Sequence, residues 1–411
     1  MSEPAPHVRL CSQDDWPTVR RIDEVAFGYT FDPEQSTIPE SDHVEIERTH
    51  LATIGDDPVG IASAYTLRVS VPGGSELPMA GVTWVGVLPT HRRRGVLTAL
   101  MRDQLADVHR RGEPVAGLFA SEPGIYGRFG YGHAVPQVFM TVRRGATALR
   151  APDPVGLTAR IVSAADAEKD VAQVYDVVRC ERAGMAARPH DWWLACVDDP
   201  PSQRSGASEL RALLVADSER TRAYAIFSTK EEWANGSAEG VMTVREALAA
   251  DAAAGGLLWS TLLSTDLMGS FELRRVAPDD LLLHQLVDPR RARPELRDGM
   301  YLRLVDLPAA LSARSYAAPW SGVVEVTDRL CPWNAGRWRL ELGADESSAQ
   351  RTDDDPDIAL DVVELGCAYL GGVALAARAA AGFVDERTPG ATHSLSTALR
   401  HPLAPVTPFG F

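Results

Sequence analysis

A mixed α/β (α+β) fold in three successive units is predicted for this chain of 411 residues. Three observations carry that reading. The length exceeds what one hydrophobic core ordinarily organises and suggests two to three domains. Strand-like and helix-like apolar runs are interleaved along the chain. Between Thr83 and Thr98 a strand, an arginine-dense turn and a helix follow one another directly.

The first unit spans residues 1–150. Trp16–Phe27 has helical spacing, with Asp14 or Asp15 as N-cap. Val59–Val71 reads as a strand, Pro72–Ser75 as a turn and Met79–Val87 as the next strand. Leu97, Leu100, Met101, Leu105 and Val108 recur at helical spacing, and Gly112 can close that helix. Val115–Ala120 is a further strand, and Gln137–Arg143 is expected to close the unit. Residues 151–157, rich in proline, form a linker.

The second unit spans 151–290: a helix around Ala165–Cys180, paired strands Arg211–Ala216 and Arg222–Ser228, and a long helix over Thr243–Leu263. Its nearest phosphate-turn pattern, Gln203-Arg-Ser-Gly206, follows Asp-Asp-Pro-Pro-Ser rather than an apolar strand, and reads as a loop. No cofactor site is expected in this unit. The third unit, 291–411, carries strands at Leu302–Val305, Val323–Val326 and Arg337–Leu342, then apolar helical segments over Ala359–Ala381 broken near Gly371-Gly372.

The formal charge of −15 argues against a nucleic-acid binder and would attract cations. Five scattered cysteines without a Cys-x-x-Cys pair point away from a disulfide framework or zinc site. The ten histidines show no metal-binding arrangement, so no metal is expected. The N-terminus lacks a signal-peptide pattern, and the longest apolar stretch, Ala368–Phe383, contains Arg378. A cytoplasmic protein with no membrane or nucleic-acid partner is expected.

The arginine turn is an anion site in the making. The unpaired N–H groups and positive dipole end of a helix's first turn favour negative charge there. Arg92, Arg93 and Arg94 add guanidinium groups, which grip phosphate through paired hydrogen bonds. No Gly-Lys-Ser/Thr follows, which excludes the Walker loop, and one glycine instead of three excludes the dinucleotide fingerprint. A ligand bearing a diphosphate is the first expectation; a solvated basic helix cap is the other reading.

Arg92-x-x-Gly95 after a strand resembles the acetyl-CoA signature of the GCN5-related N-acetyltransferase superfamily, whose usual form is Gln/Arg-x-x-Gly-x-Gly/Ala; Leu97 departs from it. Ala120-Ser-Glu-Pro-Gly-Ile-Tyr-Gly-Arg-Phe-Gly-Tyr-Gly132, together with Pro89–Gly95 and a final Phe411, resembles the Eis (enhanced intracellular survival) acetyltransferases over essentially the whole chain. The resemblance implies two tandem acetyltransferase domains, the second degenerate, and a sterol-carrier-like C-terminal domain that supplies the chain end. It implies an acetyl-CoA-dependent N-acetyltransferase acting on small-molecule primary amines, with aminoglycosides or other polyamines as the leading class, in a homohexamer. The alternatives are acetylation of protein lysine or an arylalkylamine, or a non-catalytic protein that binds CoA or lipid.

Residue by residue, the resemblance gives acetyl-CoA contacts to Val85, Gly86 and Val87 on the strand, to Arg92, Arg93, Arg94, Gly95, Val96, Leu97 and Thr98 in the turn and helix, and to Ser121 and Glu122 beyond the next strand. A thiolate leaving group suits a phenol as general acid, because thiol and phenol pKa values lie within ~2 units. Spacing does not choose between Tyr126 and Tyr131; the resemblance points to Tyr126. It makes the α-carboxylate of Phe411 the general base, anchored by Phe409 and Phe411 and stiffened by Pro402, Pro405 and Pro408. Gly410 stands where relatives usually carry an acid. Phe27, Asp32 and Trp84 are acceptor-pocket candidates by position.

Overall fold

A computed structural model describes residues 4–32, 44–145 and 148–411. Its first sheet has seven strands. Five come in chain order as β1 (His7–Leu10), β2 (His50–Ile54), β3 (Asp57–Ser70), β4 (Glu76–Val87) and β5 (Val115–Phe119), followed by Met300–Leu304 and Gly132–His133. Helix α1 (Trp16–Phe27) buries Val19 and Ile22 against Leu51 and Ile61. Helix α2 (Val96–Arg110) buries Val96, Leu100, Met101 and Leu105 against Ala62, Ala80 and Val82. Small residues on the strands let α2 lie close.

The second sheet also has seven strands, in the order Glu295–Asp298, Pro136–Arg143, Met268–Val276, Gly240–Ala249, Thr221–Lys230, Arg211–Ala216, Thr158–Ser163. The third has five, with Trp320–Thr327 at its centre. Its apolar face merges with one end of the first sheet: Met79, Val115 and Leu302 share a core with Val324, Trp338 and Leu365.

The strands are exchanged between units relative to expectation. Gln137–Arg143 does not close the first unit; it pairs with Met268–Val276, placing Val142 opposite Phe271. The strand expected at Leu302–Val305 in the third unit runs Met300–Leu304 and pairs antiparallel with β5, from Met300↔Phe119 to Leu304↔Val115. The boundaries at 150 and 290 therefore cut across both sheets. An alternating pattern announces a strand but not its partner, and the partner here lies 129 positions away for Val142↔Phe271 and 185 for Gly117↔Leu302.

Two helical expectations also change. Thr243–Leu263 is a strand to Ala249 and a helix from Ala252. The alanine-rich junction reads as continuous helix, but Asp251, with φ −156°, stops the strand and caps the helix by accepting from the N–H groups of Ala253 and Ala254. Ala359–Ala381 begins within the strand Ile358–Asp361 and continues as two short helices, Val362–Ala368 and Leu375–Ala380.

The last residues thread between the first two units. Arg182 donates to the Ala404 carbonyl at 2.9 Å, Ala404 N–H donates to Asp279 at 2.8 Å, and Val406 N–H to the Ala183 carbonyl at 3.0 Å. Phe409 stacks edge-on against Trp192 with ring centroids 5.3 Å apart, and Phe411 against Phe119 at 5.1 Å. A Cβ on Gly81 would stand 3.1 Å from the Phe411 ring, so the absence of one is what admits that ring. No described helix is long and apolar enough to cross a membrane.

Candidate active site

The site begins where β4 and β5 part. They pair in parallel at Met79↔Val115, Ala80↔Ala116 and Gly81↔Gly117, and no further. Past that point β4 holds register only with β3, so its other edge from Val82 onward is free to take an extended ligand as an added strand. A β-bulge sharpens the parting. Between the pairs Ile61↔Gly86 and Ser63↔Thr83, β4 has one residue more than β3, and Trp84 takes φ +50°.

A cavity of about 1000 Å³ opens in this fork. Val85, Gly86 and Val87 form one wall, and Ser121, Glu122 and Tyr126 the other. The arginine turn closes one end. Arg93 at φ +62° and Gly95 at φ +81° bend the chain into α2, whose first internal bond runs from Ala99 N–H to the Gly95 carbonyl. No side chain caps α2, so the N–H groups of Val96, Leu97 and Thr98 have no helical acceptor, and all three residues line the cavity with Arg92 and Arg93. A helix N-terminus flanked by two guanidiniums is suited to phosphate. Arg94 is half-buried and is not on the cavity wall, because the turn carries successive residues in different directions.

Tyr126 lies on the wall half-buried, and burial, aided by the charge on Glu122, raises its hydroxyl above the ordinary phenol value. It therefore stays protonated through neutral pH. Tyr131, 6.1 Å away ring to ring, is 1% exposed and does not line the cavity. The loop bearing both is held from below: Arg303 donates to the Phe129 carbonyl at 2.6 Å and to both carboxylate oxygens of Asp328 at 2.7 and 2.8 Å.

A second chamber, of about 850 Å³, lies between the first and second sheets. Thr83, Trp84 and Phe411 line both chambers and form the doorway between them. Phe27 lines the first. Asp32, expected in an acceptor pocket, lines neither chamber. Tyr65 and Trp192, in edge contact at 5.1 Å, belong to the second chamber, as do Arg188, Arg245, Arg274 and Arg275 from the second unit. Sequence reasoning passed over these residues, because none sits in a motif and the fold alone brings them to the doorway.

In the second unit, Gly240–Ala249 and Met268–Val276 pair from Gly240↔Met268 to Val244↔Leu273 and then part, but the space beyond is only about 40 Å³ and is lined by Val406 and Pro408 of the tail; the helix that follows has N-terminal donors taken by the Asp251 carboxylate. A phosphate there would meet a negative charge. The Gln203–Gly206 segment is a loop after a short turn at Pro201–Gln203. Among the described residues, no three His, Cys, Asp or Glu side chains gather in a way that could hold a metal.

Residues 7–134 and 184–304 each match an acetyltransferase (GNAT) domain, and residues 307–408 match a sterol carrier protein domain. An uncharacterized N-acetyltransferase of Streptomyces avermitilis is 41% identical over 98% of this chain and 99% of its own. The N-acetyltransferase Eis of Mycobacterium tuberculosis is 33% identical over 98% of this chain and 100% of its own. The crystal structure of Eis1 from Mycobacterium abscessus superposes with a TM-score of 0.85 at 33% identity, covering 98% of this chain and all of that one.

Proposed function

This chain belongs to the Eis family of N-acetyltransferases within the GCN5-related superfamily, and from that premise we propose that it moves the acetyl group of acetyl-CoA to the primary amine of a small molecule. The parting of β4 and β5 carries the reading. It opens a slot with an anion-binding turn at one end and a protonated phenol at the other, the two features a CoA thioester needs.

In this reading the pantetheine arm adds to the free edge of Val85–Val87, with Ser121 and Glu122 on the opposite wall. Arg92, Arg93 and the N–H groups of Val96, Leu97 and Thr98 take the diphosphate. The acceptor amine reaches the thioester through the doorway at Thr83, Trp84 and Phe411. Its lone pair attacks the carbonyl carbon, and a proton passes from the ammonium to the Phe411 α-carboxylate, directly or through water. The carbon–sulfur bond then breaks and Tyr126 gives its proton to the departing thiolate. The α-carboxylate is an intrinsically weak base, with a free pKa of ~3.5.

Aminoglycosides and other polyamines are the acceptor class that the family resemblance brings forward. The test is thiol release from acetyl-CoA by the full-length protein, against an aminoglycoside, a linear polyamine, an arylalkylamine and a lysine peptide. Release that depends on a small amine supports the reading. Absence of release with every amine, from protein that binds acetyl-CoA, overturns it. Light scattering on the same preparation tests the homohexamer.

A further inference from the structure

The second chamber is lined by four arginines, and the structure explains how they come to face it. In a regular strand successive side chains point to opposite faces, so Arg274 and Arg275 should diverge. They sit at a β-bulge instead. The pairs Leu273↔Met140 and Val276↔Val138 leave one extra residue on their strand, and Arg275 takes φ +56°. The bulge turns both guanidiniums toward one chamber. A second bulge does the same for Arg245: Ile226↔Glu246 and Phe227↔Val244 leave it without an opposite residue. Left-handed backbone at a non-glycine residue costs about 1–3 kcal/mol and persists where surrounding structure imposes it.

Four guanidiniums meet few anions within the chamber: Glu246, Asp198 and the chain end at Phe411. Arg188 is neutralised, holding Glu246 through both oxygens, and Tyr224 uses the same carboxylate. Glu246 is thereby consumed, and Asp198 also has a partner of its own. Arg245 is tied to the backbone carbonyls of Cys196 and Asp198, at 3.0 and 3.2 Å, which hold it without cancelling its charge. Arg274 and Arg275 have neither a hydrogen bond nor an ion pair with any described residue. Arg275 rests 5.7 Å over the Phe119 ring. Burial and the adjacent Arg274 both oppose its charge, and the Glu246 carboxylate supports it more weakly.

Gly410 leaves Arg275 in this state. A Cβ at position 410 would stand 3.0 and 3.1 Å from the two terminal guanidinium nitrogens, so an acidic side chain there would lie directly on Arg275. Glycine leaves that place to whatever enters beside Phe411.

We propose that the acceptor is a small amine that also carries an anionic group, a carboxylate or phosphate, which Arg274 and Arg275 grip while the amine reaches the doorway at Thr83, Trp84 and Phe411. This rests on the acetyltransfer reading and narrows it. A polycation would bring its charge against two guanidiniums. An amino acid or aminoalkyl phosphate brings a counter-ion, and a guanidinium takes such a group through two parallel hydrogen bonds. Arg275 is within reach of residue 410, one residue from the chain end, so the spacing between amine and anion is a few bonds.

Matched acceptor pairs that differ only in the anion test this: ethanolamine with phosphoethanolamine, and tyramine with tyrosine, alongside an aminoglycoside. The reading is kcat/KM from thiol release by the full-length protein at low salt. The anionic member of each pair should exceed its partner by about 10- to 100-fold, the range of a charge-assisted contact. Arg274→Gln with Arg275→Gln should bring that ratio near one. Gly410→Glu, which removes no charge from the fold, should do the same by occupying Arg275. Equal or better turnover of the anion-free amines, or of the aminoglycoside, overturns the proposal while leaving acetyltransfer intact. So does a ratio that survives both variants. No release with any amine, from protein that binds acetyl-CoA, overturns the acetyltransfer reading and this proposal together.

Discussion

Tyr126→Phe removes one hydroxyl from the fork and nothing else. That hydroxyl makes no hydrogen bond to any described residue, and its ring contact with Tyr131 survives the change. The fold should be indifferent: a shift in stability within ~0.5 kcal/mol, read by thermal unfolding. Catalysis should not be. Without a proton donor the thiolate must leave unprotonated, and loss of a positioned general acid costs about 10²–10⁴ in rate, or roughly 3–5 kcal/mol of barrier. The loss should fall on kcat, with KM for acetyl-CoA unchanged within about threefold. Its pH dependence follows from the direction of the shift. Burial and Glu122 disfavour the phenolate, so the acid form persists above the ordinary phenol value near 10 and is lost only as pH rises through the raised one. The ratio of native to variant kcat should therefore stay flat from about pH 7 to 9. The assay is stopped-time thiol release at saturating acetyl-CoA. A variant that keeps more than a tenth of native kcat would refute the acid role, as would an equal loss in Tyr131→Phe, whose hydroxyl is buried without a partner and does not line the cavity.

Three further outcomes follow from the geometry. Arg92→Ala with Arg93→Ala should raise KM for acetyl-CoA about 10- to 100-fold yet leave KM for an acetylated pantetheine lacking phosphates unchanged, since the turn meets only the diphosphate end; equal effects on both donors would remove the turn from phosphate binding. Gly81→Ala places a Cβ 2.6 Å from Leu67 and 3.1 Å from the Phe411 ring, so kcat should drop while acetyl-CoA still binds by calorimetry; unchanged kcat would show that the terminal ring need not sit there. Asp328→Ala strands the wholly buried Arg303 charge and should cost about 3–5 kcal/mol in thermal unfolding, because breaking a buried pair leaves an uncompensated ion; a cost below 1 kcal/mol would mean water reaches Arg303.

Local signals in the sequence single out the residues proposed to hold the acetyl donor. A strand, an arginine turn and an apolar helix are contiguous between Thr83 and Val108, so their mutual arrangement follows from chain connectivity, and the glycine-flanked tyrosine loop comes at the end of the next strand. Arg94 and Asp32 line neither chamber: proximity along the chain says little about direction in a turn, where backbone dihedrals change at every residue. The acceptor half had no such signal. Tyr65 and Trp192 lie 127 positions apart and meet at 5.1 Å, while Arg275 reaches the doorway through a bulge that strand periodicity does not foresee. The exchange of Pro136–Arg143 and Met300–Leu304 between sheets was hidden likewise, since backbone pairing leaves no mark on side-chain pattern.

That asymmetry has a consequence for specificity. The two chambers share Thr83, Trp84 and Phe411 and otherwise draw on different units. Changes on Gly240–Ala249 or Met268–Val276 can therefore remodel what meets the acceptor without disturbing the fork of β4 and β5. The tail ties the halves together: Phe409 lies against Trp192 and under the Arg188 guanidinium, Phe411 against Phe119, and Gly410 between them sets the charge that Arg275 presents. Under the proposed reading, a charged side chain at that one position on the tail would alter the charge that Arg275 offers to an acceptor. A side chain at 410 would act on specificity through charge more than through shape, because its nearest neighbour is the mobile end of an arginine and not backbone.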